Sequence, residues 1–408
     1  MERREFLRNG LVLGAGGLLV LGPGGWAARA ASTGPGNSPR LIVIFLRGAV
    51  DGLNVVVPHG DSVYYELRPN IAVPASQVLD LDGHFALSPA LSALMPLWRD
   101  RTLAFVEACG SPDPTRSHFD AQDYMETGTP GVKTTSTGWM NRVLAELPAP
   151  HSPTQALNLG PTPPRILSGP QPVANLATGR AAAQPIALDR PLVNSSFARM
   201  YEGRDPLSAA FQEGVAARRR LLAELQQDMT VAAGGAPLPN QGFTQDATRL
   251  GQLMRRDPTI RLAFLALSGW DTHVNQGAAS GQLANHLRPL GQGLITLIGA
   301  MGPAYRESVI VVISEFGRTV HENGNGGTDH GHANVMWVMG GPVRGGKVYG
   351  SWPGLGAEQL YQGRDLAVTT DFRAPLCSIL GTHLKLSQDA LGRVFPDYRG
   401  RGVQLLSA

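Results

Sequence analysis

Leu41-Ile-Val-Ile-Phe-Leu46, Leu262-Ala-Phe-Leu-Ala-Leu267 and Val309-Ile-Val-Val-Ile313 are three runs in which apolar residues follow one another without alternation. A strand that faces water on one side alternates in polarity. A run that is apolar at every position is buried on both faces, as in a parallel sheet covered by helices. Thr102-Leu-Ala-Phe-Val106 and Val335-Met-Trp-Val-Met339 extend the set. Helical patterns at 207–229 and 282–301 lie between the runs. The expected fold is therefore α/β: a three-layer sandwich with a mostly parallel central sheet.

Around this core the chain divides unevenly. At the start, Arg3-Arg4-Glu5-Phe6-Leu7-Arg8 precedes a glycine-rich apolar stretch from Leu11 to Trp26 and the small-x-small sequence Ala28-Arg29-Ala30. This order is that of a twin-arginine signal peptide, assigned to residues 1–30. Five glycines and a proline interrupt the stretch between Gly14 and Gly24. It also falls short of the roughly 20 continuous apolar residues of a spanning helix, so no stable membrane anchor is expected. The twin-arginine translocase is the expected partner during export, and the destination is the periplasm or the medium. Residues 31–39 read as a flexible leader, and 40–408 as one α/β domain. Residues 148–194 are rich in Pro and Gly, and 232–243 look like a linker, so about 140–250 reads as an insertion or cap.

The 408 residues carry a formal net charge of +3. Arg3, Arg4, Arg8 and Arg29 against Glu2 and Glu5 account for two of those charges, which leaves the rest of the chain nearly neutral. Arg218-Arg219-Arg220 is its one dense basic cluster and reads as a solvated helix face, so nucleic acid is not an expected partner. Cys109 and Cys377 lie in apolar contexts and read as buried thiols.

The acids and histidines fall where the strands end. Arg47-Gly48-Ala49-Val50-Asp51 follows the first run, Ser268-Gly269-Trp270-Asp271-Thr272-His273 the second, and Ser314-Glu315-Phe316-Gly317-Arg318 the third. A Gly-rich loop adds Gly327-Thr328-Asp329-His330-Gly331-His332. In open α/β sheets ligands bind at the carboxyl ends of strands. Several acids meeting there repel one another unless a cation lies between them. Carboxylates with imidazoles make a donor set suited to a divalent ion, Zn or Mn. Asp271 and His273 are two apart, as are His330 and His332, so on extended backbone each pair projects to one side. The expected metal ligands are thus Asp51, Asp271, His273, Glu315, Asp329, His330 and His332. Each also has a plainer reading: Asp271 as a cap or Asx turn, Glu315 paired with Arg318, the histidines on a surface loop.

The leader, Leu46-Arg-Gly-Ala-Val-Asp-Gly-Leu-Asn54, Ser117-His-Phe-Asp-Ala-Gln-Asp123, Gly269-Trp-Asp-Thr-His273, Ser314-Glu-Phe-Gly-Arg-Thr319 and Gly327-Thr-Asp-His-Gly331 together resemble a twin-arginine-exported bacterial family without an assigned reaction. It is a distant branch of the alkaline phosphatase/sulfatase superfamily. The resemblance spans nearly all of the chain beyond the leader and implies an alkaline-phosphatase-like fold and a two-metal hydrolase. Here Phe316 stands where the superfamily has a ligand histidine, so one ion is better supported than two. The resemblance places the nucleophile between Ser111 and Asp120. Pro112-Asp113 after Ser111 does not suit formylglycine formation, which leaves the hydroxyls of Ser117 and Thr115, with His118 as ligand or general base. Ser117 read plainly is the cap of the helix that follows. Arg47, Arg116 and Arg318 lie beside the motifs, where they could clamp an anionic substrate or bridge to nearby acids.

The expectation is an exported, metal-dependent hydrolase acting on a small anionic phosphate or sulfate ester. The alternative is a non-catalytic periplasmic protein that binds a ligand, a metal or an envelope partner on the same fold.

Overall fold

The structure is a computed structural model that describes residues 38–149, 151–160, 162–178, 188, 190–203, 205, 207–219, 242–400 and 402–407. Its strands are β1 (Arg40–Arg47), β2 (Val56–Val57), β3 (Leu79–Asp80), β4 (Ala86–Leu87), β5 (Leu103–Gly110), β6 (Ala156–Leu159), β7 (Ala174–Leu176), β8 (Leu262–Ser268), β9 (Ser308–Ser314), β10 (Asn334–Gly340), β11 (Lys347–Tyr349) and β12 (Thr370–Asp371). The central sheet runs β11-β5-β10-β9-β1-β8-β6-β7, with β12 also on β5, while β2, β4 and β3 form a small separate sheet. All five apolar runs are strands of the central sheet.

The pairing is parallel except at β10, which is antiparallel to both β9 and β5. Side chains of β1 alternate between two cores: Ile42, Ile44 and Leu46 enter one, and Leu41, Val43 and Phe45 the other. All six are at most 1% exposed. Burial of such a side chain contributes about 1.5–3 kcal/mol, so β1 alone anchors both faces.

The first face is covered by the helices Phe243–Arg256 and Gln282–Met301, through Leu250, Leu253, Leu287, Leu290 and Leu294. The second is covered by Trp139–Glu146, Arg373–Thr382 and Gln388–Val394, through Trp139, Val143, Leu376, Ile379 and Val394. This is the three-layer α/β sandwich with a mostly parallel sheet.

Within 140–250, read above as an insertion or cap, β6 and β7 pair in parallel with the central sheet beside β8. That part is integral to the sheet, not laid upon it. The helix beginning at 207 is described to 219, and most of the linker read at 232–243 lies outside the described residues, as does the leader. Cys109 and Cys377 are free thiols, Cys109 buried and Cys377 partly so. Among the described residues no helix is long and apolar enough to cross a membrane.

Candidate metal centre

Adjacent parallel strands β8, β1 and β9 end together, so the turns carrying Asp271, Gly48 and Glu315 meet at one edge of the sheet. β5 runs the same way and leads through Ser111–Ser117 into the helix His118–Thr127. Because β10 is antiparallel, its amino end lies at this same edge, and His330, four residues before it, arrives there too. Gly48 makes the close packing possible. Its φ is +117°, and a Cβ there would lie 2.8 Å from the Asp271 backbone nitrogen. Only glycine fits such a turn.

His118, Asp271 and His330 bring one potential ligand atom each to within 4.8 Å of one another. His118 Nε2 lies 3.0 Å from His330 Nε2 and 3.6 Å from Asp271 Oδ2. His330 Nε2 lies 3.5 Å from Asp271 Oδ1. Ligands held tetrahedrally around zinc at about 2.0–2.1 Å are about 3.3 Å apart. The spacing therefore suits one small divalent ion.

The nitrogens turned away from this point are also held, which fixes ring orientation. His118 Nδ1 is 2.8 Å from Glu315 Oε1, and His330 Nδ1 is 2.9 Å from the Arg116 carbonyl, to which it donates. Each ring then directs its Nε2 lone pair inward, as ligand histidines with an outer partner do. Electrostatics act in opposite directions on the two rings. Burial holds His330 below the ordinary histidine value, which keeps it neutral. The Glu315 hydrogen bond raises His118, against a smaller opposing effect of burial. Burial pushes Glu315 up, but hydrogen bonds from His118, Gln122 and the Gly48 backbone outweigh it and hold the carboxylate below its ordinary value. Asp271 is likewise pushed up by burial, and Arg318 reverses the direction.

His273 flanks the group, its Nε2 3.0 Å from Asp271 Oδ1 and 3.1 Å from His330 Nε2. Its Nδ1 is 3.3 Å from Asp329 Oδ1, and Asn323 Nδ2 donates to the same oxygen. Asp329 therefore supports His273 from behind. Phe316 is buried and stacks on His118 with centroids 4.9 Å apart, and it lies 5.2 Å from the His330 ring. An apolar ring fills the space beside both histidines, which agrees with a centre for one ion.

Several expected residues take other parts. Asp51 is a correction: it is fully buried and bound by Arg68 through Nη1 at 2.6 Å and Nη2 at 3.1 Å, and Gln276 Nε2 donates to it at 2.6 Å. With both oxygens taken by a guanidinium and an amide, it is a structural ion pair. His332 is another. It is buried and stacked on Tyr361 at 4.5 Å, and burial lowers its pKa. Gly331 packs tightly on the Arg318 backbone, and the chain there does not send His330 and His332 to one side. Glu315 lies behind His118, not in the inner group.

Arg318 is buried and spends its guanidinium on the carbonyls of Gly48, Ala49 and Thr328 and on Asp271, tying three loops together. Arg116 is engaged by Asp365 at 2.5 Å and Arg47 by Glu126 at 2.6 Å. None of the three is left as a bare anion clamp. Ser117 is the helix cap, its Oγ accepting from Asp120 N at 3.4 Å, and the Thr115 hydroxyl accepts from Ser117 N at 3.2 Å. Sequence reading missed Gln122. It lies one turn after His118, so both reach Glu315 from one helix face, a spacing visible in the sequence once Glu315 is placed.

Among solved structures the chain is similar to Ps i-CgsB in complex with k-i-k-neocarrahexaose, at 10% identity and a TM-score of 0.41, covering 90% of this chain and 75% of that one. It is similar to the C-terminal periplasmic domain of EcEptC from Escherichia coli in complex with Zn, at 12% identity and a TM-score of 0.34, covering 75% and 73%. It is also similar to BT1596, a 2-O GAG sulfatase, at 9% identity and a TM-score of 0.35, covering 90% and 76%. No curated protein matches. Residues 104–396, from β5 through the helix Gln388–Val394, match the family described as protein of unknown function (DUF1501), and the chain belongs to that family.

Proposed function

We propose that the protein is an exported, metal-dependent hydrolase of phosphate or sulfate esters on an alkaline-phosphatase-like fold. The observation that carries this reading is the meeting of His118 Nε2, His330 Nε2 and the Asp271 carboxylate at ligand spacing, with both imidazoles locked from behind. The resemblance of the motifs to the alkaline phosphatase/sulfatase superfamily supplies the ester chemistry. His118, Asp271 and His330 would hold a divalent ion, which would supply Lewis-acid polarisation of the ester.

The chain's own residues divide the remaining work. His273 Nε2 is the acid–base group, and Asp329 Oδ1 holds its Nδ1 proton. Water is the attacking group. Its oxygen bonds to phosphorus or sulfur as the bond to the alcohol oxygen breaks. One water proton passes to His273 Nε2 and from there to the departing alkoxide. In this reading Ser117 serves as the cap of the helix that carries His118, and the attack is assigned to water. Arg318 fixes the Asp271 carboxylate for the ion. The paired arginines of the leader imply that the protein folds and takes up metal before translocation, and Arg3→Lys with Arg4→Lys should leave it in the cytoplasm.

The test combines metal analysis with turnover of chromogenic phosphomonoester, phosphodiester and sulfate ester. The wild type should hold about one ion per chain and hydrolyse one class. Asp271→Ala should lose both ion and activity, and His273→Ala should keep the ion while turnover falls about 10²–10⁴-fold. A second reading, a non-catalytic metal-binding protein, is favoured by one observation: Arg47, Arg116 and Arg318 are all already paired with acids. Stoichiometric metal with every ester intact would establish it instead.

A further inference from the structure

The helix that supplies His118 has a second use. Phe119, the next residue, is 90% exposed, an unusual position for a large aromatic side chain beside a polar centre. It lines a cleft of about 430 Å³ that runs from the His118–Thr127 helix across the carboxyl end of β8. That volume lies within the range of small-molecule sites. Gln122 joins cleft and centre, since it lines the first and donates to Glu315 in the second at 2.8 Å. Ser268, three residues before Asp271, lies in the same wall.

The lining defines the ligand chemistry. Two guanidiniums face the cleft, and each is matched by a carboxylate: Arg47 by Glu126 at 2.6 Å and Arg165 by Asp123 at 3.1 Å. The matched pairs leave no net charge to draw a second anion. They still present donors and acceptors side by side. Alternating donors and acceptors suit vicinal hydroxyls, and an exposed aromatic face suits the C–H face of a pyranose or polyol.

We propose that this cleft binds a neutral polyhydroxylated moiety, a sugar or cyclic polyol, as the alcohol part of the ester whose reacting group meets His118, Asp271 and His330. The placement rests on the hydrolase reading, while the binding itself does not.

The experiment uses unesterified probes, so that binding is read without turnover. Maltose, cellobiose and myo-inositol are titrated into the exported protein and followed by saturation-transfer NMR, with zinc binding measured in parallel by calorimetry. At least one probe should bind saturably. Phe119→Ala should weaken it at least tenfold, Phe119→Trp should restore it, and zinc affinity should not change in either variant. Three results overturn the proposal: no saturable binding of any probe, equal binding by Phe119→Ala, or preferential binding of inorganic sulfate or phosphate that is lost in Arg47→Ala. Saturable, Phe119-dependent binding in a protein that turns over no ester would sink the hydrolase reading and leave the polyol site standing.

Discussion

A carboxylate buried in protein survives as an anion only where fixed donors replace water, and Asp51 and Glu315 meet that requirement with different partners. Asp51 has Arg68, whose Nη1 also donates to Asn54 and whose Nε and Nη2 reach the carbonyls of Val320 and Thr319. Removing Arg68 leaves a buried charge without a counter-ion, so Arg68→Ala should cost about 3–5 kcal/mol in urea unfolding. Glu315 faces an imidazole whose far nitrogen points to the proposed metal position. Glu315→Gln should leave the fold intact and weaken zinc binding about 10–100-fold by calorimetry. Equal loss of stability in the two variants would mean that Glu315 is only a packing acid. In sequence the two acids look alike, each a few residues past an apolar run. What separates them is Arg68, which lies 17 residues after Asp51 and returns to it only in three dimensions.

Elements place the donors, and three of them show what a sequence conveys. The helix His118–Thr127 was legible from Ser117 onward, because Ser before a helical segment signals a cap, and in the structure Gly128, with φ +69°, closes it in the left-handed region. β6 and β7 were hidden. They have four and three residues within a Pro- and Gly-rich stretch, too short for a period to show. The direction of β10 was hidden as well, since an apolar run reads the same both ways, yet its reversal is what brings His330 to the centre. The helix also supplies a test of Ser117. A lost cap costs about 1 kcal/mol, whereas a lost nucleophile costs orders of magnitude in rate. Ser117→Ala should lower the unfolding temperature by a few degrees and keep zinc content and turnover within about twofold. A collapse of turnover with zinc retained would return Ser117 to the role of nucleophile.

At the scale of the molecule, the layered fold was readable because consecutive apolar residues leave a strand no face for water, and β1 does feed both cores. The ends of the strands said where a site would be but not which side chains would reach it. The opposite edge of the sheet holds a group with a consequence for the whole fold. His383, at the end of the helix Arg373–Thr382, is buried against the start of β1, where its Nε2 donates to the Arg40 carbonyl at 3.0 Å. Burial lowers its pKa from the ordinary 6.5 to about 4, and Arg261 and Lys385 act in the same direction, while the Arg40 hydrogen bond and Glu307 oppose. The unfolded chain therefore binds a proton at this residue at a higher pH than the folded one. Its contribution to stability is complete above about 6.5 and is lost as pH falls toward about 4. That interval corresponds to at most roughly 3 kcal/mol. His383→Gln keeps an N–H for the carbonyl and removes the titration. Urea unfolding of the metal-free protein at a series of pH values should show a shallower acid limb between about 6.5 and 4 for the variant than for the wild type. Parallel limbs would mean that the ring is already protonated in the folded state, and that acid sensitivity comes from the carboxylates of the candidate metal centre.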